Sequence, residues 1–96
     1  MRILYDSKNP VYKNPFGVLR ENENCHFGIH IPQNCKTKTV KLEFFKEDGG
    51  FYAAFFLSLE ETKDDYEFYS ADIALKDAGL YFYRFYIITE TPRRAR

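Results

Sequence analysis

The sequence predicts an all-β domain, an antiparallel immunoglobulin-like sandwich of six to eight strands. Three observations support this prediction. Apolar and polar residues alternate with period two in several segments, turn signals recur at regular spacing, and no segment has a convincing helical pattern. The 96 residues match the size of one such domain, so we expect residues 1–96 to form a single module.

The clearest strand runs over residues 80–88, after the turn signal Asp77-Ala78-Gly79. Within it only Arg84 is charged, and β-branched and aromatic residues dominate. Because both faces of this strand are largely apolar, we expect it to lie centrally in a sheet, with the core below and another cover above. Alternation assigns one face to Tyr81, Tyr83, Phe85 and Ile87, and the other to Leu80, Phe82, Arg84, Tyr86 and Ile88.

Earlier segments supply the other strands. Residues 25–31 and 39–46 alternate cleanly, and Lys41 and Glu43 are expected to meet water. Residues 51–59 also suit a helix, but the preceding hairpin signal, residues 47–50, favours a strand. Residues 3–5 and 66–73 are further strands, residues 60–65 an acidic loop, and residues 16–19 can rejoin a sheet edge. The predicted core is Phe27, Ile29, Ile31, Val40, Leu42, Phe44, Tyr81, Tyr83 and Phe85.

Charge and hydropathy exclude several classes of partner. Lys and Arg together number 14, as do Asp and Glu, so a nucleic-acid partner is not expected. The basic residues at 93–96 are interpreted as a frayed terminus or the start of a linker, not as a binding arm. No apolar run approaches the ~20 residues of a membrane span, and the first ten residues lack a signal pattern, so no membrane partner is expected.

Cysteine and histidine placement argues against a disulfide and a metal site. Cys25 and Cys35 would lie about 20 Å apart along a strand at ~3.3 Å per residue, whereas a disulfide needs Cα atoms within about 7 Å. We therefore expect free thiols and a cytoplasmic location. Alternation puts Cys25 on the opposite face from His26 and His30, which does not suit zinc. We expect no cofactor and, because no phosphate loop or nucleophile motif is present, no enzymatic activity in these residues.

The aromatic content points to a surface function. The 10 Phe and 8 Tyr exceed what one thin core needs, so some should line an interface or a binding surface. The outer row of the clearest strand, Phe82, Arg84 and Tyr86, is the candidate. A protein partner is favoured over a glycan because the chain has no Trp, the largest platform for stacking on sugar rings.

Two stretches carry a family resemblance: Leu4-Tyr5-Asp6-Ser7-Lys8-Asn9-Pro10-Val11-Tyr12-Lys13-Asn14-Pro15-Phe16-Gly17 and Gly79-Leu80-Tyr81-Phe82-Tyr83-Arg84-Phe85. They resemble the N-terminal immunoglobulin-like domain of bacterial α-amylase-family glycoside hydrolases of the neopullulanase and cyclomaltodextrinase type. The resemblance implies a parent enzyme that hydrolyses α-1,4 or α-1,6 glucans. The family's catalytic carboxylates lie on a (β/α)₈ barrel that this sequence lacks, so no catalytic residue is assigned here.

Three hypotheses follow. The first is a non-catalytic accessory domain that packs on the catalytic barrel or mediates assembly with a second copy of itself. It requires a flat, contiguous apolar patch. The second is a stand-alone module that binds starch or maltooligosaccharides, which requires aromatic rings rimmed by polar groups. The third is an adhesive or scaffolding sandwich unrelated to glycosidases.

Overall fold

A computed structural model describes residues 2–14, 23–76 and 81–90. The strands of these residues are β1 Lys13–Asn14, β2 Asn24–Pro32, β3 Thr37–Lys46, β4 Phe51–Lys63, β5 Tyr66–Ala74 and β6 Tyr81–Thr89, and a 3₁₀ turn, Gln33–Cys35, follows β2. They form one antiparallel sheet in the order β1-β2-β5-β4-β3-β6. The prediction of an all-β chain with at most a single helical turn is confirmed for this part of the chain.

β4 belongs to both halves of the sheet and makes it a sandwich. Its residues 51–57 pair with β3, and its residues 58–63 pair with β5. The pairing of β4 is irregular opposite Phe44 and Phe45 and between Leu59 and Glu61, and bulges of this kind increase the local twist of a sheet. The sheet therefore curls until β2 faces β3 and β6. This order corresponds to strands A-B-E-D and C-F of the immunoglobulin fold.

The inner rows of β2 and β3 fill the space between the two halves. All six core residues predicted in these strands are buried, with at most 2% of their surface exposed. The Phe27 ring lies edge-on to Phe44 and Tyr83, with centroid distances of 5.6 and 5.3 Å. Each buried ring or branched side chain stabilises the fold by roughly 1.5–3 kcal/mol. These contacts join strands that are not neighbours in the sheet, so they hold the curl closed.

β6 differs from its predicted position. Among the described residues it pairs with β3 alone and is the last strand of the sheet, so the expectation of a central strand was wrong. Tyr81, Tyr83 and Phe85 face the core as predicted, but they are only half-buried. Both faces of β6 are apolar for another reason. One row of its side chains packs on the core, and the other row forms an exposed apolar surface.

The loops after β3 and β4 illustrate local turn chemistry. Gly49 adopts φ 93°, as expected for the hairpin at residues 47–50, and residues 51–59 form a strand, not a helix. The predicted acidic loop at residues 60–65 was wrong, because β4 continues to Lys63. The turn consists of Asp64 and Asp65, whose φ values of 53° and 68° fit a two-residue hairpin of type I′.

The N-terminal segment closes the open side of the curl. The strand expected at residues 3–5 is a single bridge between Leu4 and His30, and β1 forms later, at Lys13–Asn14. Tyr5 reaches across to β6. Its hydroxyl lies 2.7 Å from that of Tyr83, and its ring centroid lies 4.8 Å from that of Phe85.

Other sequence interpretations concern residues outside the described ranges. These are the turn Asp77-Ala78-Gly79 with Leu80, the possible edge strand at residues 16–19 and the basic cluster at residues 93–96. Within the described ranges, Cys25 is buried, Cys35 is half-buried, and both are free thiols. Within the same ranges, no helix is long and apolar enough to cross a membrane.

The two faces of the β3–β4 hairpin predict different effects of removing a ring. We expect Phe44→Ala to lower the free energy of unfolding by about 3–5 kcal/mol, because it leaves a cavity in the core. The matched change Phe56→Ala, on the exposed face, should alter it by less than about 0.5 kcal/mol. Urea unfolding at micromolar protein concentration measures both. Equal losses would contradict the burial assigned to these rings.

Buried tyrosine hydroxyls predict a loss of stability in alkali. Burial and the hydrogen bond with Tyr83 raise the pKa of Tyr5, and burial with the bond to Glu67 raises the pKa of Tyr69 to about 12. Above the pKa of about 10 of an unfolded tyrosine, the unfolded chain loses protons that the folded chain keeps. The stabilisation that these two hydroxyl groups contribute is therefore fully present below pH ~10 and decreases as the pH rises towards 12. Urea unfolding from pH 8 to 11.5 should show this decline, shallower in Tyr69→Phe; an unchanged slope in that variant would contradict it.

Candidate functional site

The outer surface of β4, β3 and β6, here called the outer face, carries most of the exposed large apolar side chains of the described residues. They are Phe51, Phe56, Phe82, Tyr86 and Ile88, with 61%, 66%, 63%, 50% and 40% of their surface exposed. A group of exposed apolar side chains on one side of a sheet is typical of an interaction surface. The predicted site residues Phe82, Arg84 and Tyr86 all lie on this face, pointing away from the core.

Strand register arranges the outer face in three rows across β4, β3 and β6, and Ile88 lies opposite Thr39 beyond the first of them. The first row is Phe56, Lys41 and Tyr86; the second is Ala54, Glu43 and Arg84; the third is Phe51, Phe45 and Phe82. Neighbouring strands lie about 4.8 Å apart, so the β4 and β6 columns are separated by about 10 Å. Rings thus flank a central charged row on both sides.

The charges of the outer face are paired within the sheet. Arg84 Nε donates to Glu43 Oε1 at 3.0 Å, and Lys41 Nζ lies 3.3 Å from Glu43 Oε2. Lys41 Nζ also lies 5.0 Å from the Tyr86 ring centroid, and the Arg84 guanidinium 5.1 Å from that of Phe45. Each cation therefore has a carboxylate and a ring as neighbours.

Glu43 is the centre of this charge group. The expectation that it would meet water was wrong, because its neighbours cover it and only 14% of its side chain is exposed. The hydrogen bond from Arg84, with a further one from Lys41, holds the pKa of the Glu43 carboxyl below its usual range. Because the carboxylate is ionised and bonded at both oxygens, it offers little to a new ligand.

Sequence reasoning missed half of this face. Phe51 and Phe56 on β4 were recognised as strand residues, but no side was assigned to them. The signal was present for Phe56, since the hairpin register places it opposite Lys41, on the solvent side. It was absent for Phe51, because the irregular pairing that follows Phe44 shifts the alternation by one residue.

A second aromatic cluster lies on the other layer, where the N-terminal segment covers β2 and β5. His30 Nδ1 is 2.8 Å from the Tyr12 hydroxyl, and its ring lies against that of Phe68, tilted by 39° with a centroid distance of 4.5 Å. His26 Nδ1 lies 3.1 Å from Asp72 Oδ1, and its Nε2 lies 3.2 Å from the carbonyl oxygen of Val11. Both histidines therefore attach the N-terminal segment to the sheet. In the described part of the chain, no three His, Cys, Asp or Glu side chains are grouped to hold a metal ion.

The charge group of the outer face predicts an acid-sensitive contact. We expect carbon-13 NMR to show Glu43 titrating below the pKa of about 4.3 of a free glutamate, and Arg84→Met to move that pKa upwards. Because the pKa is lowered by folding, the stabilisation exists above pH ~4 and is lost as the pH falls through the folded-state value. A Glu43 titration that Arg84→Met leaves unchanged would contradict the pairing.

Comparison of the sequence with models of known protein families and with curated proteins finds no match. The functional interpretation therefore depends on the geometry of the outer face and on the sequence resemblance.

Proposed function

We propose that this chain is a non-catalytic accessory domain of an α-glucan-hydrolysing enzyme of the α-amylase family, and that its outer face docks on a protein surface. The observation that carries the docking role is the exposed aromatic face with charges paired in its own plane. The link to an α-glucan hydrolase is supported by the resemblance of residues 4–17 and 79–85. A cytoplasmic location belongs to the same proposal, because free thiols suit a reducing compartment.

Paired charges favour a protein partner for this face. Burying an unpaired charge costs several kcal/mol, whereas Glu43 already has a cation on each oxygen. A partner surface can therefore cover the centre of the face without leaving a carboxylate unsatisfied. The surrounding rings would form the dry centre of such an interface, with polar groups at its rim.

The same pairing disfavours a sugar ligand. Binding sites for small polar ligands place a few polar groups so that they converge on the ligand. On the outer face the central carboxylate is occupied by Arg84 and Lys41, and the neighbouring side chains of Ala54, Phe45 and Phe82 have no polar atoms. Besides the rings, the Tyr86 hydroxyl and the outer N–H groups of Arg84 could bond sugar hydroxyl groups, but both lie on β6 and do not converge on a ligand from several strands.

Titration with maltoheptaose tests this proposal against the α-glucan alternative. We expect no saturable change in tyrosine and phenylalanine NMR signals at millimolar maltoheptaose. Saturable binding that is lost in Phe82→Ala and Tyr86→Ala would overturn the protein-docking role. The matched control is Ile3→Ala, which removes an exposed apolar side chain of the N-terminal segment.

A hydrophobic dye gives the complementary measurement. We expect 1-anilinonaphthalene-8-sulfonate to fluoresce on the folded domain and to lose most of this signal in Phe56→Ser and Phe82→Ser, but not in Ile3→Ser. Equal dye binding by all three variants would show that the outer face is not the accessible apolar surface.

A further inference from the structure

We propose that His26 is a pH-sensitive anchor, which fastens the N-terminal segment, residues 4–14, to β2 more tightly when its ring is protonated. This anchor lies on the opposite layer from the outer face and is independent of the proposed function. Three observations carry it: the two acceptors that the His26 ring faces, the contrasting partner of His30, and the path of the segment along the edge of β2.

Both ring nitrogens of His26 face atoms that can only accept a hydrogen bond. Nδ1 lies 3.1 Å from a carboxylate oxygen of Asp72, and Nε2 lies 3.2 Å from the backbone carbonyl oxygen of Val11. A neutral imidazole carries one N–H group, whereas an imidazolium carries two. The His26 ring can therefore donate both hydrogen bonds only when it is protonated.

The neutral His26 ring must leave one of the two acceptors without a donor. A hydrogen bond to an ionised carboxylate is stronger than one to a neutral carbonyl group, so we expect the remaining proton on Nδ1, directed at Asp72. Nε2 then presents a lone pair to the carbonyl oxygen of Val11, and this contact with the N-terminal segment is lost. Since 31% of the His26 side chain is exposed, solvent protons can reach it. Histidine side chains ordinarily change charge at about pH 6.5, so the contact should strengthen as the pH falls through this range.

Asp72 supplies the charge that faces the His26 ring. It lies opposite His26 on β5, and 74% of its side chain is exposed. On the other edge of β2 the cross-strand partner of His26 is Asn14 of β1, which is uncharged. Of the neighbouring charged residues, Lys13 is buried and Glu23 lies three positions earlier in the chain. A protonated ring therefore has a carboxylate as its charged contact.

His30 holds the same segment without needing a charge. Its Nδ1 lies 2.8 Å from the hydroxyl group of Tyr12. A hydroxyl group can donate or accept a hydrogen bond, so it donates to the neutral ring and accepts from the protonated ring. The bond is available in both states, and the pH dependence of the attachment is therefore expected from His26.

The N-terminal segment has backbone hydrogen bonds to β2 at two separate places. Gly28 N–H donates to the carbonyl oxygen of Tyr12 at 2.8 Å, close to the His26 contact, and an isolated bridge lies further along β2. Between these places the chain leaves the sheet edge and forms turns at residues 7–12. Val11 lies in the last of these turns, so its bond to His26 fixes the point where the chain returns to β2. Loss of that bond should increase local opening at this point.

The protonation pattern of the His26 ring in the whole chain tests the mechanism. Long-range proton–nitrogen NMR distinguishes an N–H group at Nδ1 from one at Nε2. We expect the proton on Nδ1 at about pH 7.5 and protons on both nitrogens at about pH 5.5. A neutral ring with its proton on Nε2 overturns the proposal, because the bond to Val11 would then persist in both states.

Amide hydrogen exchange measures the attachment itself. After correction for the intrinsic exchange rate, we expect the Gly28 amide to be about three- to tenfold better protected at about pH 5.5 than at about pH 7.5, the range that one hydrogen bond gives. The Leu42 amide of β3, in the other layer, should show no such change. Equal protection of Gly28 at the two pH values would contradict the proposal.

Three variants separate His26 from the other groups of this layer. Asp72→Ala frees the neutral ring to carry its proton on Nε2, and His26→Gln removes the titrating group, so both should abolish the pH dependence of Gly28 protection. Tyr12→Phe is the matched control, because it deletes the hydroxyl group bonded to His30. It should lower the protection at both pH values and keep the dependence. A pH dependence that survives His26→Gln or Asp72→Ala, or that disappears in Tyr12→Phe, overturns the proposal.

Discussion

The edge-on contact of Phe27 with Phe44 and Tyr83 is the interaction on which the rest of the structure depends. It connects β2 with β3 and β6, which are remote from one another in the order of the sheet. A sheet with six strands buries one face only if it curls, and these rings fill the space that the curl encloses. β4 makes the curl possible because it serves both halves and its pairing is irregular on either side of the point where it changes partner.

The curl also determines what is left outside. Once the inner rows of β3 and β6 pack on β2, their alternate residues must point to solvent. On β2 and β5 that outer side is covered by the N-terminal segment, through Tyr12 and the two histidines. Over β3, β4 and β6 none of the described residues provides a comparable cover. Aromatic side chains and a self-paired charge group therefore remain available together, which is the basis for assigning a docking role to this face.

Sequence periodicity was sufficient wherever one face of a strand is buried and the other is polar. Residues 25–31 and 39–46 are of this kind, and their inner rows were assigned correctly. It failed where the two faces are alike. β6 is apolar on both sides, so it was predicted to lie centrally in the sheet. The end of β4 is polar on both sides, so it was predicted to be a loop. Of the outer face, the residues on β6 (Phe82, Arg84 and Tyr86) were predictable from the sequence. The contribution of Phe51 was not, since the irregular pairing that moves it outward has no clear sequence signal.

The hydrogen bond between Tyr5 and Tyr83 spans 78 positions of the sequence. Contacts of such long range slow folding, because the entropy of closing a large loop is lost before the contact forms. During synthesis the N-terminal segment leaves the ribosome long before β6, so Tyr5 can contact Tyr12 early but lacks Tyr83 and Phe85 until β6 is available. Phe27 and Phe44 likewise lack their contacts with Tyr83 for the same interval. A domain with this topology is therefore most prone to aggregation while it is being made, and β6, the last of the described strands, completes the packing between the two layers.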